Sequence, residues 1–95
     1  MDKKELYNQE KQAQLDEWKA DLEKLKAKAK KAEADSKIEV NKRIEEVEEK
    51  INEGQARLDE LKGVSDEAWD SLKNGFESAW SSLKSGVEDA ASKMK

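Results

Sequence analysis

Apolar residues recur at intervals of three or four positions from Leu15 to Leu61, and the 95-residue chain contains no proline. At about 100° per residue, this spacing keeps them within about one third of a helix circumference. Since proline is the residue that most strongly interrupts a helix, the pattern predicts a continuous helix with one apolar face. This apolar stripe consists of Leu15, Trp18, Leu22, Leu25, Ala29, Ala32, Val40, Ile44, Val47, Ile51, Leu58 and Leu61, with Ser36 and Gly54 in its gaps.

The length of this helix decides what must cover its apolar face. A helix over residues 5–62 would be on the order of 85 Å long at 1.5 Å per residue. Only 35% of the chain is hydrophobic whereas 44% is charged, which favours a coiled coil over a thick globular core. We therefore expect residues 1–62 to form a long coiled-coil helix whose exposed N-terminal half pairs with further copies of the chain. The expected state is a homo-oligomer, a dimer or a tetramer.

The segment from Gly63 to Ser65 marks the end of the long helix. Gly63 suits the left-handed position just past a helix end, and Ser65 is a good N-cap that is followed by two acids. We predict a turn at residues 63–65 and an amphipathic helix over residues 66–95, folded back antiparallel onto residues of about 34–62. The expected fold is all-α, a helical hairpin or coiled coil in one structural domain.

A second turn near Asp35–Ser36 is the alternative. Ser36 and Glu39 have the spacing of a capping box, and a turn there would give a three-helix bundle. Because no glycine or proline lies near Ser36, the continuous helix is favoured. A lysine-rich run over residues 24–31 and a glutamate-rich run over residues 45–49 lie on either side of residue 37. These runs meet in an antiparallel pairing, either within one chain or between two chains.

One phrase occurs twice in the C-terminal region: AWDSLKNGFES at residues 68–78 is followed directly by AWSSLKSGVED at residues 79–89. Eleven residues make three helical turns of 3.67 residues each, so apolar positions in such a repeat form a straight stripe. This second stripe consists of Trp69, Leu72, Phe76, Trp80, Leu83, Val87, Ala91 and Met94.

The second stripe has two interpretations. We expect it to pack against the first helix, because burying large side chains stabilises a helix pair. The alternative is a lipid-facing surface, since the opposite face of the helix is rich in serine and carries little charge. Gly75 and Gly86 lie beside the stripe and weaken the helix, which indicates either close approach of another helix or plasticity toward a soft surface.

The chain has no cysteine and no histidine, and its formal net charge is −4. This composition excludes Cys/His zinc sites, thiol nucleophiles and imidazole catalysis, and the acidic balance does not suit a general nucleic-acid binder. We therefore expect no enzyme activity, no catalytic, cofactor-binding or metal residues, no small-molecule substrate and no nucleic-acid partner. Because neither a signal-peptide pattern nor a long apolar run occurs, we expect a cytoplasmic protein, with peripheral membrane binding as the alternative.

Three segments, QLDEWKADLEKLKAKAKKAEADSKIE, QARLDELK and AWDSLKNGFESAWSSLK, carry a family resemblance. With them the chain resembles a group of small bacterial coiled-coil proteins, usually labelled uncharacterised and, in cyanobacteria, labelled stress-response proteins. The resemblance covers nearly the full length. It implies an all-helical bacterial protein without assigned catalytic residues.

The expected function is that of a non-catalytic helical scaffold or stress-associated interaction protein that self-associates through coiled-coil packing. The alternative is a peripheral membrane protein that binds a lipid surface through its tryptophan-rich C-terminal helix.

Overall fold

A computed structural model describes residues 2–93, which form three helices: α1 (Lys3–Lys31), α2 (Ala34–Lys62) and α3 (Asp66–Lys93). The helices lie side by side in a rod that measures 52 × 22 × 18 Å. α2 runs antiparallel to both neighbours, so that α1 and α3 are parallel. Residues 2–93 contain no strand, and the predicted all-α fold is confirmed.

The N-cap of α1 is Asp2, a residue that the apolar periodicity did not identify. The Asp2 carboxylate accepts a hydrogen bond from the backbone N–H of Glu5 at 2.8 Å, which satisfies one of the free donors of the first turn. The last turn of α1 carries three lysines, whose positive charges are favourable beside the negative end of the helix dipole. Both ends of α1 therefore have side chains that favour a helix boundary.

The long helix predicted over residues 1–62 is corrected by the structure, because it is divided at Ala32 and Glu33. These two residues adopt extended conformations, with φ −72°, ψ 148° and φ −69°, ψ 156°. Any L-residue can adopt such angles, so the chain reverses here without glycine or proline. The alternative turn near Asp35–Ser36 is also displaced, since Glu33 is the N-cap and Ser36 lies inside the first turn of α2.

The predicted turn at residues 63–65 is confirmed. The hydroxyl of Ser65 accepts a hydrogen bond from the N–H of Ala68 at 3.3 Å, as expected of an N-cap. The left-handed conformation predicted for Gly63 is wrong, since its φ is −85° and its N–H donates to the carbonyls of both Asp59 and Glu60. The ammonium of Lys4 donates to the carbonyl of Val64 at 2.9 Å and fastens the start of α1 to this turn.

The interior is built from both predicted stripes. They pack on each other within one chain, whereas the N-terminal half of the first stripe was expected to pair with other copies of the chain. Leu15, Leu58 and Val47 are the most deeply buried large side chains, and they come from α1 and α2. Gln12 and Gln55 exchange two amide hydrogen bonds of 3.0 Å across the α1–α2 contact, which fixes the register of this antiparallel pair. The Lys26 ammonium lies 3.8 Å from the Glu48 carboxylate, so the lysine-rich and glutamate-rich runs meet in cis.

The three helices converge on Gly54 of α2. A Cβ atom at this position would lie 3.2 Å from Leu15 Cδ2, 3.5 Å from Trp80 and 3.6 Å from Leu83. The missing side chain therefore lets α1 and α3 both approach α2 closely. Gly54 occupies a gap in the first stripe because a larger residue there would keep the helices apart.

The two glycines of α3 do not serve such a contact. A Cβ atom at Gly75 would meet nothing within 4 Å, and the three atoms nearest to a Cβ at Gly86 all belong to the side chain of Lys50, at 2.7 to 3.0 Å. Of the two explanations offered for these glycines, close approach of another helix does not apply at Gly75, whereas at Gly86 a side chain of α2 lies against the backbone of α3. Gly75 weakens the helix without any compensating contact among the described residues.

We predict opposite effects for substitutions at Gly54 and Gly75. Gly75→Ala should raise the free energy of unfolding by about 1 kcal/mol, because it adds helix propensity in open space. Gly54→Val should lower it by about 1 to 3 kcal/mol, because the added methyl groups overpack the contact with Leu15 and Trp80. Urea unfolding followed by far-UV circular dichroism measures both changes. Equal effects of the two substitutions would contradict this packing.

Candidate functional site

All five aromatic side chains of the protein form one continuous cluster between α1 and α3. Consecutive rings lie 5.0 to 6.0 Å apart between centroids, in edge-to-face pairs at one end and stacked pairs at the other. Such geometries favour aromatic pairs beyond the burial of their area. This aromatic cluster consists, in order of contact, of Trp69, Tyr7, Phe76, Trp80 and Trp18.

A shared spacing brings the rings of the two helices into register. Trp69 and Trp80 lie eleven residues apart in α3, and Tyr7 and Trp18 lie eleven residues apart in α1. Eleven residues span close to three turns, so each pair lies on one face of its helix. Because α1 and α3 are parallel, Tyr7 meets Trp69 while Trp18 stacks on Trp80 at 5.0 Å. The doubled tryptophan phrase thus matches a second aromatic pair in the same chain.

The size of these rings sets the separation of α1 and α3. The backbones of these two helices approach each other at fewer positions than either helix approaches α2. On the α2 side, Gly54 allows close packing, whereas the α1–α3 contact is filled by indole and phenyl rings. The aromatic cluster therefore fills the space between α1 and α3, and these helices contact each other through the rings rather than by close approach of their backbones.

The polar atoms of the two α3 tryptophans find partners on α1. The indole N–H of Trp80 donates to Gln14 Oε1 at 2.8 Å, and that of Trp69 donates to Asn8 Oδ1 at 3.3 Å. Asn8 is the one buried polar side chain of the described interior, at 8% exposure. These bonds matter because a buried donor without a partner is costly. Asn8 and Gln14 therefore help to determine which way the two indoles point.

Two lysines cover the outer rings of the cluster. The Lys11 ammonium lies 5.2 Å from the centroid of Tyr7 and 5.5 Å from that of Trp80. The Lys73 ammonium lies 5.0 Å from Tyr7 and 5.5 Å from Trp69. Cations at such distances are attracted by the ring faces, by about 0.5 to 1 kcal/mol at exposed sites. The two charges from α1 and α3 thus close the cluster against solvent and favour its docked form.

The hydroxyl of Tyr7 is the exception to this satisfied arrangement. Its oxygen is buried, and although the Glu77 carboxylate faces it, no contact among the described residues reaches full hydrogen-bond geometry. Burial, followed by the negative charge of Glu77, raises the pKa of Tyr7 well above its ordinary value. The neutral phenol is therefore the form that the folded protein retains under alkaline conditions.

The structure buries most of the residues that the sequence assigned to the two stripes. Val40 is half-buried, and Leu72 is 46% exposed at the outer edge of the α2–α3 contact. Ala91 is half-buried, while its neighbour Ala90 takes the interior position, and Met94 lies outside the described residues. The buried members are Leu15, Trp18, Leu22, Leu25, Ala29, Ile44, Val47, Ile51, Leu58, Leu61, Trp69, Phe76, Trp80, Leu83 and Val87.

Sequence reasoning missed the contributions of Tyr7, Asn8 and Gln14. The first stripe begins at Leu15, because the polar segment before this residue has no apolar periodicity. The signal that could have found Tyr7 is its spacing of eleven residues from Trp18, which equals the spacing of Trp69 and Trp80. Asn8 and Gln14 carry no comparable signal, because their role depends on the indole groups opposite them.

The aromatic cluster is closed, and this limits its chemistry. Its tryptophan and phenylalanine rings are buried by other side chains of the same chain, with 3 to 7% of each side chain exposed. Among these rings, Phe76 also borders a surface groove between α2 and α3. Residues 2–93 hold no group of three or more acidic side chains placed to bind a metal ion. Within the same range, none of the three helices has the apolar length required to cross a bilayer.

Comparisons with protein-family models, with curated proteins and with solved structures find no match to this chain.

We predict that Tyr7→Phe stabilises the protein by about 1 kcal/mol near neutral pH, because it removes a buried hydroxyl without a partner and keeps the ring. The gain should grow above about pH 10, where tyrosine ionises in the unfolded chain. Since the folded pKa is raised, the wild type alone loses stability through this group as the pH increases. Urea unfolding at neutral pH and above pH 10 measures both effects.

Tyr7→Leu is the control for the ring itself. It also removes the hydroxyl, but it loses the contacts with Trp69 and Phe76, so we expect it to destabilise the protein. Destabilisation by Tyr7→Phe at neutral pH would show that the hydroxyl has a favourable partner.

Proposed function

We propose that this protein is a non-catalytic helical interaction protein that works as a closed, single-chain three-helix bundle. One observation supports the proposal. Most side chains of the apolar stripes and of the aromatic cluster are buried where the three helices pack on one another. What remains outside is a surface dominated by charged side chains, which make up 44% of the chain. Contacts with partners would then be made by this exterior, with the fold acting as a rigid support.

Self-association, which the sequence led us to expect, is not part of this proposal, because the packing removes the main reason for expecting it. A partner chain was expected because the N-terminal half of a continuous helix would expose Leu15, Trp18 and Leu22. In the closed bundle, α2 and α3 of the same chain cover these residues. The bacterial stress association rests on the family resemblance alone, and the cytoplasmic location likewise stays a prediction.

The closed bundle predicts a protein whose stability does not depend on its concentration. Sedimentation equilibrium at micromolar concentration should give the mass of one chain. Thermal unfolding should have the same midpoint across a wide concentration range, because mass action stabilises only assemblies. A midpoint that rises with concentration, together with a multiple of the chain mass, would contradict the proposal and favour the coiled-coil oligomer.

A matched pair of variants tests whether the helices of the protein depend on burial of the apolar stripe at Leu15. Leu15→Asp should unfold the bundle, because it places a charge in the contact between all three helices. Leu6→Asp introduces the same group on the same helix at a position that is 51% exposed, and it should leave the stability within about 0.5 kcal/mol of the wild type. Far-UV circular dichroism distinguishes these outcomes.

Lipid binding through α3 is the second candidate function, and Gly75 favours it. This glycine lowers the stability of α3, although a Cβ atom at its position would meet nothing within 4 Å. Because the α1–α3 contact depends on side chains across a wider backbone gap, opening of this contact alone would uncover the aromatic part of the α3 stripe. The freed stripe would then place Trp69, Phe76 and Trp80 in a membrane interface.

Vesicles with brominated acyl chains test this second function, since bromine quenches only the tryptophans that enter the apolar layer. Insertion of α3 should reduce tryptophan emission, and Gly75→Ala should weaken the quenching because it stabilises the closed bundle. Unchanged emission in the presence of lipid would exclude insertion of the stripe and leave the closed bundle as the working form.

A further inference from the structure

The positive charge of this protein is concentrated at one end of the rod. Residues 24–43 contain eight of the 19 lysine and arginine residues of the chain but only three of its 23 acids, although the whole chain has a net charge of −4. We call this region the basic end. Its cations are Lys24, Lys26, Lys28, Lys30, Lys31, Lys37, Lys42 and Arg43, and its acids are Glu33, Asp35 and Glu39.

The fold brings cations from two helices together at the basic end. The turn at residues 32–33 folds the start of α2 back along the end of α1, where Lys26, Lys30 and Lys37 line one groove together with Glu45. Lys26 is paired with Glu23 at 3.5 Å and with Glu48 at 3.8 Å. Lys30 and Lys37 are exposed, and neither pairs with a carboxylate of the described chain within 4.0 Å. Arg43 pairs with Glu39 at 3.2 Å, so these two residues add no net charge. The basic end therefore keeps an excess of positive charge, to which the unpaired Lys30 and Lys37 contribute.

The same end carries the most exposed large apolar side chain of the described residues. Ile38 is 79% exposed, compared with 51% for Leu6 and 46% for Leu72. Gly86 of α3 lies against Lys50 of α2, and this antiparallel register carries the first two turns of α2 past residue 93 of α3. Ile38 therefore stands on a projecting part of the rod, directly after Lys37.

An exposed aliphatic side chain at an end with excess positive charge fits a lipid surface better than a nucleic acid. Ile38 shares its groove with the cations Lys42 and Arg43 and with the acids Asp35, Glu39 and Glu46. Anionic headgroups attract clusters of lysine and arginine, and an aliphatic side chain gains free energy by entering the interface. A nucleic-acid surface would use the charge, but single strands are usually held by aromatic stacking as well. All five aromatic residues are engaged in the cluster between α1 and α3, away from the basic end.

We propose that the basic end docks the closed bundle end-on to a bilayer that contains anionic phospholipid, with Ile38 entering the interface and the lysines contacting the headgroups. This deepens the proposed function, on which it rests, because it names the partner of the charged exterior. It differs from insertion of α3, since the aromatic cluster stays closed and the tryptophans remain in the protein.

Vesicle flotation tests this docking with the full chain. Wild-type protein should float with vesicles of phosphatidylcholine and phosphatidylglycerol at low salt, and it should not float with pure phosphatidylcholine. Flotation should decline as salt is raised, because exposed charges are screened. Lys28→Glu with Lys30→Glu should reduce the affinity at least about tenfold, since each charge near an anionic surface contributes to binding.

Two matched controls separate a local surface from net charge. Lys3→Glu with Lys84→Glu makes the same change of net charge at exposed positions outside the basic end, and it should leave flotation within about twofold of the wild type, since it spares that surface. Ile38→Ser should weaken flotation several-fold, whereas Leu72→Ser should not. Circular dichroism melts of every variant verify that the bundle is intact.

Each remaining outcome overturns the docking in a recognisable way. Absence of wild-type flotation at low salt overturns it and leaves the closed bundle standing. Equal losses in the two double-lysine variants would show that only net charge acts. Quenching by brominated lipid would assign binding to an opened α3 instead. Binding to an oligonucleotide that exceeds vesicle binding and ignores Ile38→Ser would assign the basic end to nucleic acid.

Discussion

The packing of Leu15 and Trp80 against the bare backbone of Gly54 is the contact on which the remaining structure depends. It is the point at which one residue from each helix meets the other two, at separations that leave no space for a further methyl group without displacement. An apolar stripe of one residue in three or four can cover only a narrow strip of a neighbouring helix. The absence of a side chain at Gly54 lets two such strips meet a third helix at once. A thin chain with 35% hydrophobic residues can thus enclose an interior.

The three helix–helix contacts differ in how closely the helices pack. α2 packs closely on both neighbours, whereas α1 and α3 are kept apart and are bridged by five rings with matched spacing. Ring contacts depend on orientation more than aliphatic contacts do. The amides of Asn8 and Gln14 and the ammonium groups of Lys11 and Lys73 fix the outer polar atoms and faces of those rings. Aliphatic packing therefore supplies most of the burial, and the aromatic cluster aligns α3 along α1.

The periodicity of the sequence predicted most of the side chains that are buried. Leu22 of α1 and Ile51 of α2 lie in the interior because a residue on the apolar face of a helix is covered wherever the partner comes from. Periodicity alone could not distinguish the exposed residues at the edge of a stripe from the buried residues at its centre. Leu72 belongs to the repeat, yet it is exposed because α3 turns its other flank toward α1 and α2.

The position of the first turn could not be predicted from glycine or proline, because Ala32 and Glu33 reverse the chain with φ near −70°, which every L-residue tolerates. A weaker signal was present. The alternating spacing of three and four gives way to three successive spacings of four from Ala32 to Ile44. Burial lapses over that segment, since Ser36 is exposed and Val40 only half-buried. The equal spacing of Tyr7–Trp18 and Trp69–Trp80 could also be read from the sequence. It predicts a contact between the two pairs only if α1 and α3 are known to be parallel.

The distribution of the indoles gives the molecule an optical property of its own. Trp18 lies in α1, Trp69 and Trp80 lie in α3, and α2 has no aromatic residue. The indoles of the Trp18–Trp80 pair, with centroids 5.0 Å apart, have fixed asymmetric surroundings only while α1 is docked on α3. Near-ultraviolet circular dichroism therefore reports the docking of α1 on α3, while the far-ultraviolet signal reports helix content throughout the chain. Two wavelengths can thus separate the assembly of the bundle from the formation of its helices, with no label added.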